Sequence, residues 1–313
     1  MVQALERGRL VPFLGAGANL CDRPPGTQWR AGQSEHLPLG GELARHLAGV
    51  FRYPGSQPEL ARVSQYAAVI EGTGPLYDEL HALFDADYPT SSLHRFLASL
   101  PARLRSRGLP RTTDRDRRRL VTVTTNYDDL LDRAFDAAGE PFHSLWYMAD
   151  GDQQGSFFHR TPAGETGRVE NPNEYRGLLA DEQPILLKIH GALDRRDRGW
   201  DSFVITEDHY IEYLTRTNLE SLIPAPLPAI LENRHLLFLG YGLQDWNLRV
   251  MLRRLWGDRK LSWASWAIQV QPDEIDQRFW RQRGVEILDV PLATYVAALA
   301  SALESLPDAG EPG

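Results

Sequence analysis

Cysteine occurs once in the 313 residues, at Cys21. A single cysteine excludes an internal disulfide and any zinc site built from cysteine ligands, and it fits a reducing cytoplasm. Long apolar runs are missing as well: none reaches the roughly 18 residues that a membrane-spanning helix needs. The opening segment "MVQALERGRLVPFLGAG" lacks the apolar core and cleavage site of a secretory signal. Positive charge is not in excess, because 34 Lys and Arg stand against 42 Asp and Glu, a net charge of −8. That balance argues against general binding to nucleic acid or to an anionic membrane. Together these absences predict a cytoplasmic protein with no direct membrane contact, meeting nucleic acid only through a partner.

What is present supports a full core. The hydrophobic fraction is 42%, above what a disordered chain carries. Six short apolar runs read as strands: "LVPFL" (10–14), "LVTVTT" (120–125), "PILLKI" (184–189), "HLLFLG" (235–240), "WAIQV" (266–270) and "VEILDV" (285–290). They are nearly continuous rather than alternating, the pattern of strands covered on both faces in a parallel sheet. Helical periodicity lies between them. "YDDLLDRAFDAAG" (127–139) puts Leu130, Leu131, Ala134 and Phe135 on one face and closes at Gly139. Residues 245–257 repeat the pattern up to Gly257, and a last helix carries Leu292, Tyr295, Val296, Leu299 and Leu303.

Strands alternating with helices predict an α/β fold, a Rossmann-like doubly wound parallel sheet. The expected organisation is one domain over 1–306 with a helical insertion or cap at about 41–119 and a disordered tail at 307–313. The arginine-rich stretch 101–120 reads as a solvated connection, with a contact surface as the alternative. Two loops rich in Gly, Pro and Asp, at about 149–183 and 195–203, are longer than compact domains usually tolerate without a use for them.

In an open parallel sheet, ligands bind beyond the carboxyl ends of the strands. Four strands here run into small or polar residues: "GAGAN" (15–19), "TNYDD" (125–129), "HGALD" (190–194) and "GYGLQD" (240–245). Each has a plain structural alternative. Gly15 and Gly17 suffice for a tight turn. Asn126 suits a helix N-cap with Asp129 in the capping-box position, His190 a satisfied strand-end histidine, and Asp245 an N-cap before Trp246. The full dinucleotide fingerprint is absent, since Leu20 holds the third glycine position and no strand ending in an acid follows about 20 residues on. A dehydrogenase-type site is therefore not expected. Four independent caps at the ligand-facing end are a rarer outcome than one shared crevice.

The segments "GAGAN", "TTNYDDLLDRAF", "LLKIHG" and "FLGYGLQDWNLR", in this order and spacing, resemble the sirtuin-like NAD-hydrolase domains of prokaryotic antiphage defence systems, over roughly residues 3–300. The resemblance implies that Asn126 and His190 are catalytic and that Asp128 is the acid near the nicotinamide. It places Gly15, Ala16 and Gly17 on the NAD phosphates and ribose, and Gly240, Gly242 and Asp245 on the ribose and adenosine side. Thr125 stands beside the catalytic asparagine, and Asn19 holds the place that serine takes in the first loop of the protein-deacylating sirtuins. Those enzymes also carry a four-cysteine zinc module, for which this chain has no cysteines.

The chemistry suits so few charged groups. Cleaving the nicotinamide–ribose bond expels a neutral leaving group from a cation, so no general acid is required, unlike ordinary glycoside hydrolysis. A pocket that favours an oxocarbenium-like transition state and holds a nucleophile in line suffices. Asn126 orients the nucleophile, His190 accepts its proton, Asp128 holds the nicotinamide carboxamide, and the amides of the Gly15–Gly17 turn meet the pyrophosphate. The expected function is therefore an NAD glycohydrolase with NAD as substrate and no metal, gated as an NAD-depleting effector. The alternatives are an ADP-ribosyltransferase or cyclase, and a non-catalytic NAD or ADP-ribose sensor. Deacylation comes last. A constitutively active NAD hydrolase would poison its own cell, so a gated homo-oligomer is expected, and the resemblance implies a partner protein, such as an ATPase, an Argonaute-like protein or a sensor domain. The loops at 149–183 and the 101–120 segment are the expected control surfaces.

Overall fold

Helices and strands alternate along most of the chain. The computed structural model describes residues 1–106, 119–215, 223–243, 249–250, 252 and 263–305. From the N-terminus, α1 (Val2–Glu6) leads into β1 (Leu10–Leu14) and a 3-10 turn at Ala16–Leu20. Four helices follow: α2 (Gly40–Val50), α3 (Leu60–Glu71), α4 (Thr73–Phe84) and α5 (Ser92–Ser106). Next come β2 (Val121–Thr124), α6 (Leu130–Ala137), β3 (His143–Tyr147), β4 (Phe157–Arg160), β5 (Thr166–Arg168) and β6 (Ile185–Lys188). A short pair, β7 (Gly191–Ala192) and β8 (Ser202–Phe203), precedes α7 (Glu207–Thr215) and α8 (Leu227–Glu232). The chain continues through β9 (His235–Leu239), β10 (Ser265–Gln269), α9 (Glu274–Gln282), β11 (Val285–Asp289) and α10 (Leu292–Glu304).

Nine strands form one sheet in the order β11-β10-β9-β1-β2-β6-β3-β4-β5. All pairs are parallel except β3–β4 and β4–β5. From β1 the chain lays down β2, β3, β4 and β5, returns to insert β6 between β2 and β3, and then places β9 on the other side of β1, so the strand order reverses beside β1. Alternation along each strand builds two apolar layers. Leu10 and Leu14 of β1 and Leu237 and Leu239 of β9 join the layer that contains α5, α6 and α10. Val11, Phe13, Leu236 and Phe238 join the opposite layer with α8 and with Trp280 of α9. Both faces are covered, which is why these strands are continuous apolar runs.

Residues 149–183 are not a free loop. They contain β4 and β5, which extend the sheet antiparallel, and Val169 and Leu178 are buried in the core. The sheet continues past β3 there, while most of 161–183, β5 included, stays exposed. Within the arginine-rich stretch, residues 107–118 lie outside the described residues. Arg119 at its end is buried and donates to the carbonyls of Leu178 and Asp181, so it is not a solvated arginine. The tail at 307–313, and the 245–257 helix apart from 249–250 and 252, also lie outside the described residues.

The helices between β1 and β2 divide. α5 packs on the sheet against α6 and α10. α2, α3 and α4 form a separate apolar cluster that rests on Tyr127, Leu130, Leu193, Phe203 and Ile205. Glu42 ties the preceding loop to this cluster. Its carboxylate takes two bonds from Arg23 (2.8 and 2.5 Å) and one each from the N–H groups of Trp29 (3.0 Å) and Leu39 (2.9 Å). The Arg23 guanidinium, with the two amides, holds Glu42 down to about 2.

Candidate functional site

Four strand ends meet at a cavity of about 380 Å³, inside the roughly 300–1,000 Å³ usual for small-molecule clefts. Ala16, Gly17 and Asn19 reach it from the turn after β1, and Thr125 to Asp128 from the end of β2. His190 enters after β6, and Gly240, Tyr241 and Gly242 after β9. The roof comes from the cap, through Pro38, Leu39, Gly40 and Leu43 around the start of α2, Leu60 of α3 and Phe84 of α4. Asp245 lies outside the described residues.

The glycines serve the contact between two loops. Gly17 donates its N–H to the Gly240 oxygen (2.8 Å), and Gly15 to that of Leu239 (3.0 Å). Gly240 has a φ of +68°, and a Cβ on it would stand 1.9 Å from the Ala18 nitrogen. Gly15 does not line the cavity but lies under Tyr241, whose ring a Cβ would meet at 2.8 Å. The sequence reading assigned Gly240 to the approach of a nucleotide, and the amides of Gly15 and Gly17 to a pyrophosphate. Those two amides are already bonded within the protein, and Gly240 is required by backbone packing. Gly242 lines the cavity with open space around its Cα.

Asn126 is not a cap. Helix α6 begins four residues later, and its N-cap residue, Asp129, gives its carboxylate to Arg195 (2.5 Å) and Arg133 (3.3 Å). Asp128 caps instead, its Oδ1 accepting from the Leu130 N–H at 3.1 Å. The Asn126 backbone is pinned by its N–H to Thr124 Oγ1 (3.0 Å), and Tyr241 donates to the Thr125 hydroxyl (2.7 Å). Among the described residues the Asn126 side chain has no hydrogen-bond partner. Asp128 spends its other oxygen on Asn19 Nδ2 (3.0 Å), while Asn19 Oδ1 is buried without a partner. The free acceptor of that pair therefore belongs to Asn19.

His190 is 9% exposed, with Tyr210 and Tyr213 standing edge-on to its ring at 5.6 and 5.5 Å. Its ring nitrogens have no hydrogen-bond partner among the described residues, so the satisfied-histidine alternative does not hold. Gly191 lets the chain leave this point, because at φ +91° a Cβ would stand 2.1 Å from the Ser202 oxygen. Beneath both candidates lies Lys188, 2% exposed, with Nζ donating to the Asp128 oxygen (2.9 Å) and paired to Asp132 (2.6 Å).

A family model described as a SIR2-like domain matches residues 120–288, which contain the strands bearing Asn126 and His190. The chain belongs to that family. It is also 26% identical over 298 residues to "Defense-associated sirtuin 2" of Bacillus subtilis, covering 92% of this chain and 24% of that protein. The chain thus spans about a quarter of the length of the curated relative it matches.

Within this SIR2-like chain, the roof residues and the tyrosines are what sequence reasoning missed. Tyr210 and Tyr213 stand three apart in "EDHYIEYL", the spacing of one helical face, so both reach the same histidine. Among the described residues no group of three or more His, Cys, Asp or Glu is placed to hold a metal ion, and no helix is long and apolar enough to cross a membrane.

Burial pushes the His190 imidazole down to about 3, well below the ordinary value of about 6.5. The neutral ring therefore persists through mildly acidic pH in the free protein. The unfolded chain binds this proton below about 6.5 and the folded one only near 3, so stability falls as pH drops through that window. His159, held at about 4 by burial and by His143, acts in the same direction. A His190→Gln variant is expected to lose less stability than the parent between pH 6.5 and 4, measured by urea unfolding. Equal losses in the two proteins would contradict the buried neutral imidazole.

Proposed function

We propose that this chain is an NAD glycohydrolase, releasing nicotinamide and ADP-ribose, and that it serves as an NAD-depleting effector in antiphage defence. The observation that carries the reading is the pair Asn126 and His190. Partly buried Asn126 and buried His190 face one cavity from adjacent strands, and neither side chain has a hydrogen-bond partner among the described residues. Groups kept free in a cleft suit a substrate better than a fold. The likeness to a defence-associated sirtuin supports the biological role.

In this reading the bond between the ribose carbon and the nicotinamide nitrogen breaks, and its electron pair leaves with neutral nicotinamide. Asn126 orients a water whose oxygen bonds to the ribose carbon, and His190 takes the proton. Asn19 Oδ1 accepts from the nicotinamide carboxamide, with Asp128 and Thr125 fixing the loop around it. Ala16, Gly17, Gly240 and Gly242 shape the rest of the cleft. An unrestrained NAD hydrolase would poison its host, so homo-oligomer assembly or a partner protein holds the activity in check.

The test is direct. Purified protein given NAD is expected to yield nicotinamide and ADP-ribose in equal amounts, slowly until a partner or ligand releases it, and unchanged by EDTA. A cyclic product, or ADP-ribose attached to protein, would replace hydrolysis by transfer. NAD binding without any cleavage, including after addition of phage-infected lysate, would leave a sensor. Activity abolished by EDTA would overturn the metal-free site.

A further inference from the structure

Among the described residues no hydrogen bond holds the His190 imidazole, so its orientation has another source. The last torsion of a histidine is broad and fixes no plane by itself. Such a ring is turned only by what packs on it. Two rings do so here. Tyr210 and Tyr213 lie three residues apart on α7, and each stands at 84° to the imidazole, with centroids 5.6 and 5.5 Å away. Tyr213 belongs to the core, where it is buried and crosses Tyr147 at 5.0 Å. Tyr210 is half-buried and lines the cleft. Of the two, it alone stands on the cleft side.

Hydrogen bonds place Tyr210 in turn. Its hydroxyl is a hydrogen-bonding neighbour of the Tyr127 hydroxyl. Tyr127 donates to the Val204 carbonyl (2.7 Å), and the Val204 N–H donates to the His190 carbonyl (2.8 Å). Contacts thus run in a closed circuit from His190 through Val204, Tyr127 and Tyr210 back to His190, and Tyr127 directly follows Asn126. The start of α7 is held as well. Thr206 Oγ1 accepts from the His209 N–H (3.0 Å), as an N-cap does. The Asp208 N–H, in the first turn and without a partner inside its own helix, donates to Gln65 Oε1 of α3 (2.9 Å). Gln65 Nε2 returns a bond to Asp208 Oδ2 (2.8 Å). Helix α3 also gives Leu60 to the roof. One cap helix therefore closes the cleft and fixes the turn that leads into Tyr210.

We infer that Tyr210 is the positioning residue that orients the His190 imidazole in the cleft, and that the cap helix α3 sets Tyr210 through Gln65. No charged group turns the imidazole instead. Among the described residues that line the cleft, Asp128 is the one carboxylate, with its oxygens given to Leu130 and Asn19, and neither Lys nor Arg lines it. A shift of the roof is therefore placed to reach the histidine through α7. The kinetic consequence rests on the proposed NAD hydrolysis, whereas the hold on the ring does not.

The full chain is labelled with ring-13C histidine, and the His190 signals among the nine histidines are assigned with His190→Gln. Ring-carbon relaxation then reads how firmly the imidazole is held. In the parent the order parameter is expected near that of a rigid group, about 0.85, and in Tyr210→Ala below about 0.6. Tyr210→Phe keeps the aromatic ring and is expected to restore the parent value. Gln65→Ala, outside the cleft, is expected to give an intermediate loss. Where the protein cleaves NAD, Gln65→Ala is also expected to lower kcat about threefold or more with KM unchanged. A His190 ring equally rigid in Tyr210→Ala, or equally loose in Tyr210→Phe, overturns the positioning role. A ring unaffected in Gln65→Ala overturns the link to α3. Should Tyr210→Ala fail to fold, Tyr210→Leu, which keeps bulk without the aromatic ring, is read in its place. A parent that cleaves no NAD sinks the proposed function, and the ring measurements still decide the role of Tyr210.

Discussion

Asn126→Ala is expected to lower NAD turnover about a hundredfold or more while leaving NAD affinity and the melting temperature close to those of the parent. Loss of a group that positions a nucleophile falls on the transition state rather than on ground-state binding. Stability is spared because the Asn126 side chain contributes no hydrogen bond among the described residues; its loop is held by backbone and by neighbours, through Thr124 Oγ1 and the Tyr241–Thr125 bond. His190→Ala is expected to cost about 10² in rate, the lower end of what proton acceptance supplies, because burial leaves the imidazole a weak base. If the two act on one transition state, the double variant is much less than multiplicatively worse than either single one. Turnover beside a melting curve for each variant decides the matter. A lowered melting temperature with unchanged turnover in Asn126→Ala would sink the catalytic reading.

The second large effect is expected at Lys188. Its ammonium lies in the interior, bonded to the Asp128 carbonyl and paired with Asp132. Lys188→Met strands the Asp132 carboxylate, and breaking one side of a buried pair costs about 3–5 kcal/mol. Replacing both partners by apolar groups is often nearly neutral, so Lys188→Met with Asp132→Leu is expected to recover most of the melting temperature. Turnover is not expected to recover with it, because the tie from β6 to the loop bearing Asn126 stays cut. Lys188→Arg is not a conservative repair, since a planar five-donor fork does not fit a site made for a compact ammonium. Recovery of turnover and stability together in the double variant would reduce Lys188 to a structural role.

Much of the fold was legible because its central strands are buried on both faces, which leaves an unbroken apolar run in the sequence. β3 escaped that criterion. It begins with His143 and Ser144, whose polarity is met by His159 at 2.7 Å, Asp181 at 2.9 Å and Asp132 at 3.3 Å. Contacts of that kind come from distant parts of the chain and leave no local pattern. β5 is fully exposed at an edge and was invisible for the opposite reason. The four strand-end motifs marked the floor of the cleft, because a parallel sheet delivers all such ends to one side. They did not reveal that Gly15 lies beneath Tyr241, or that Gly240 answers to Ala18. A glycine in a turn looks the same whether its neighbour is a ligand or another loop.

The floor of the cleft is assembled from four separated loops, whereas its roof arrives as a single uninterrupted stretch between β1 and β2. Because that stretch packs on Tyr127, Leu193 and Phe203 beside the strand ends, a change in the roof is transmitted to the loop that bears Asn126.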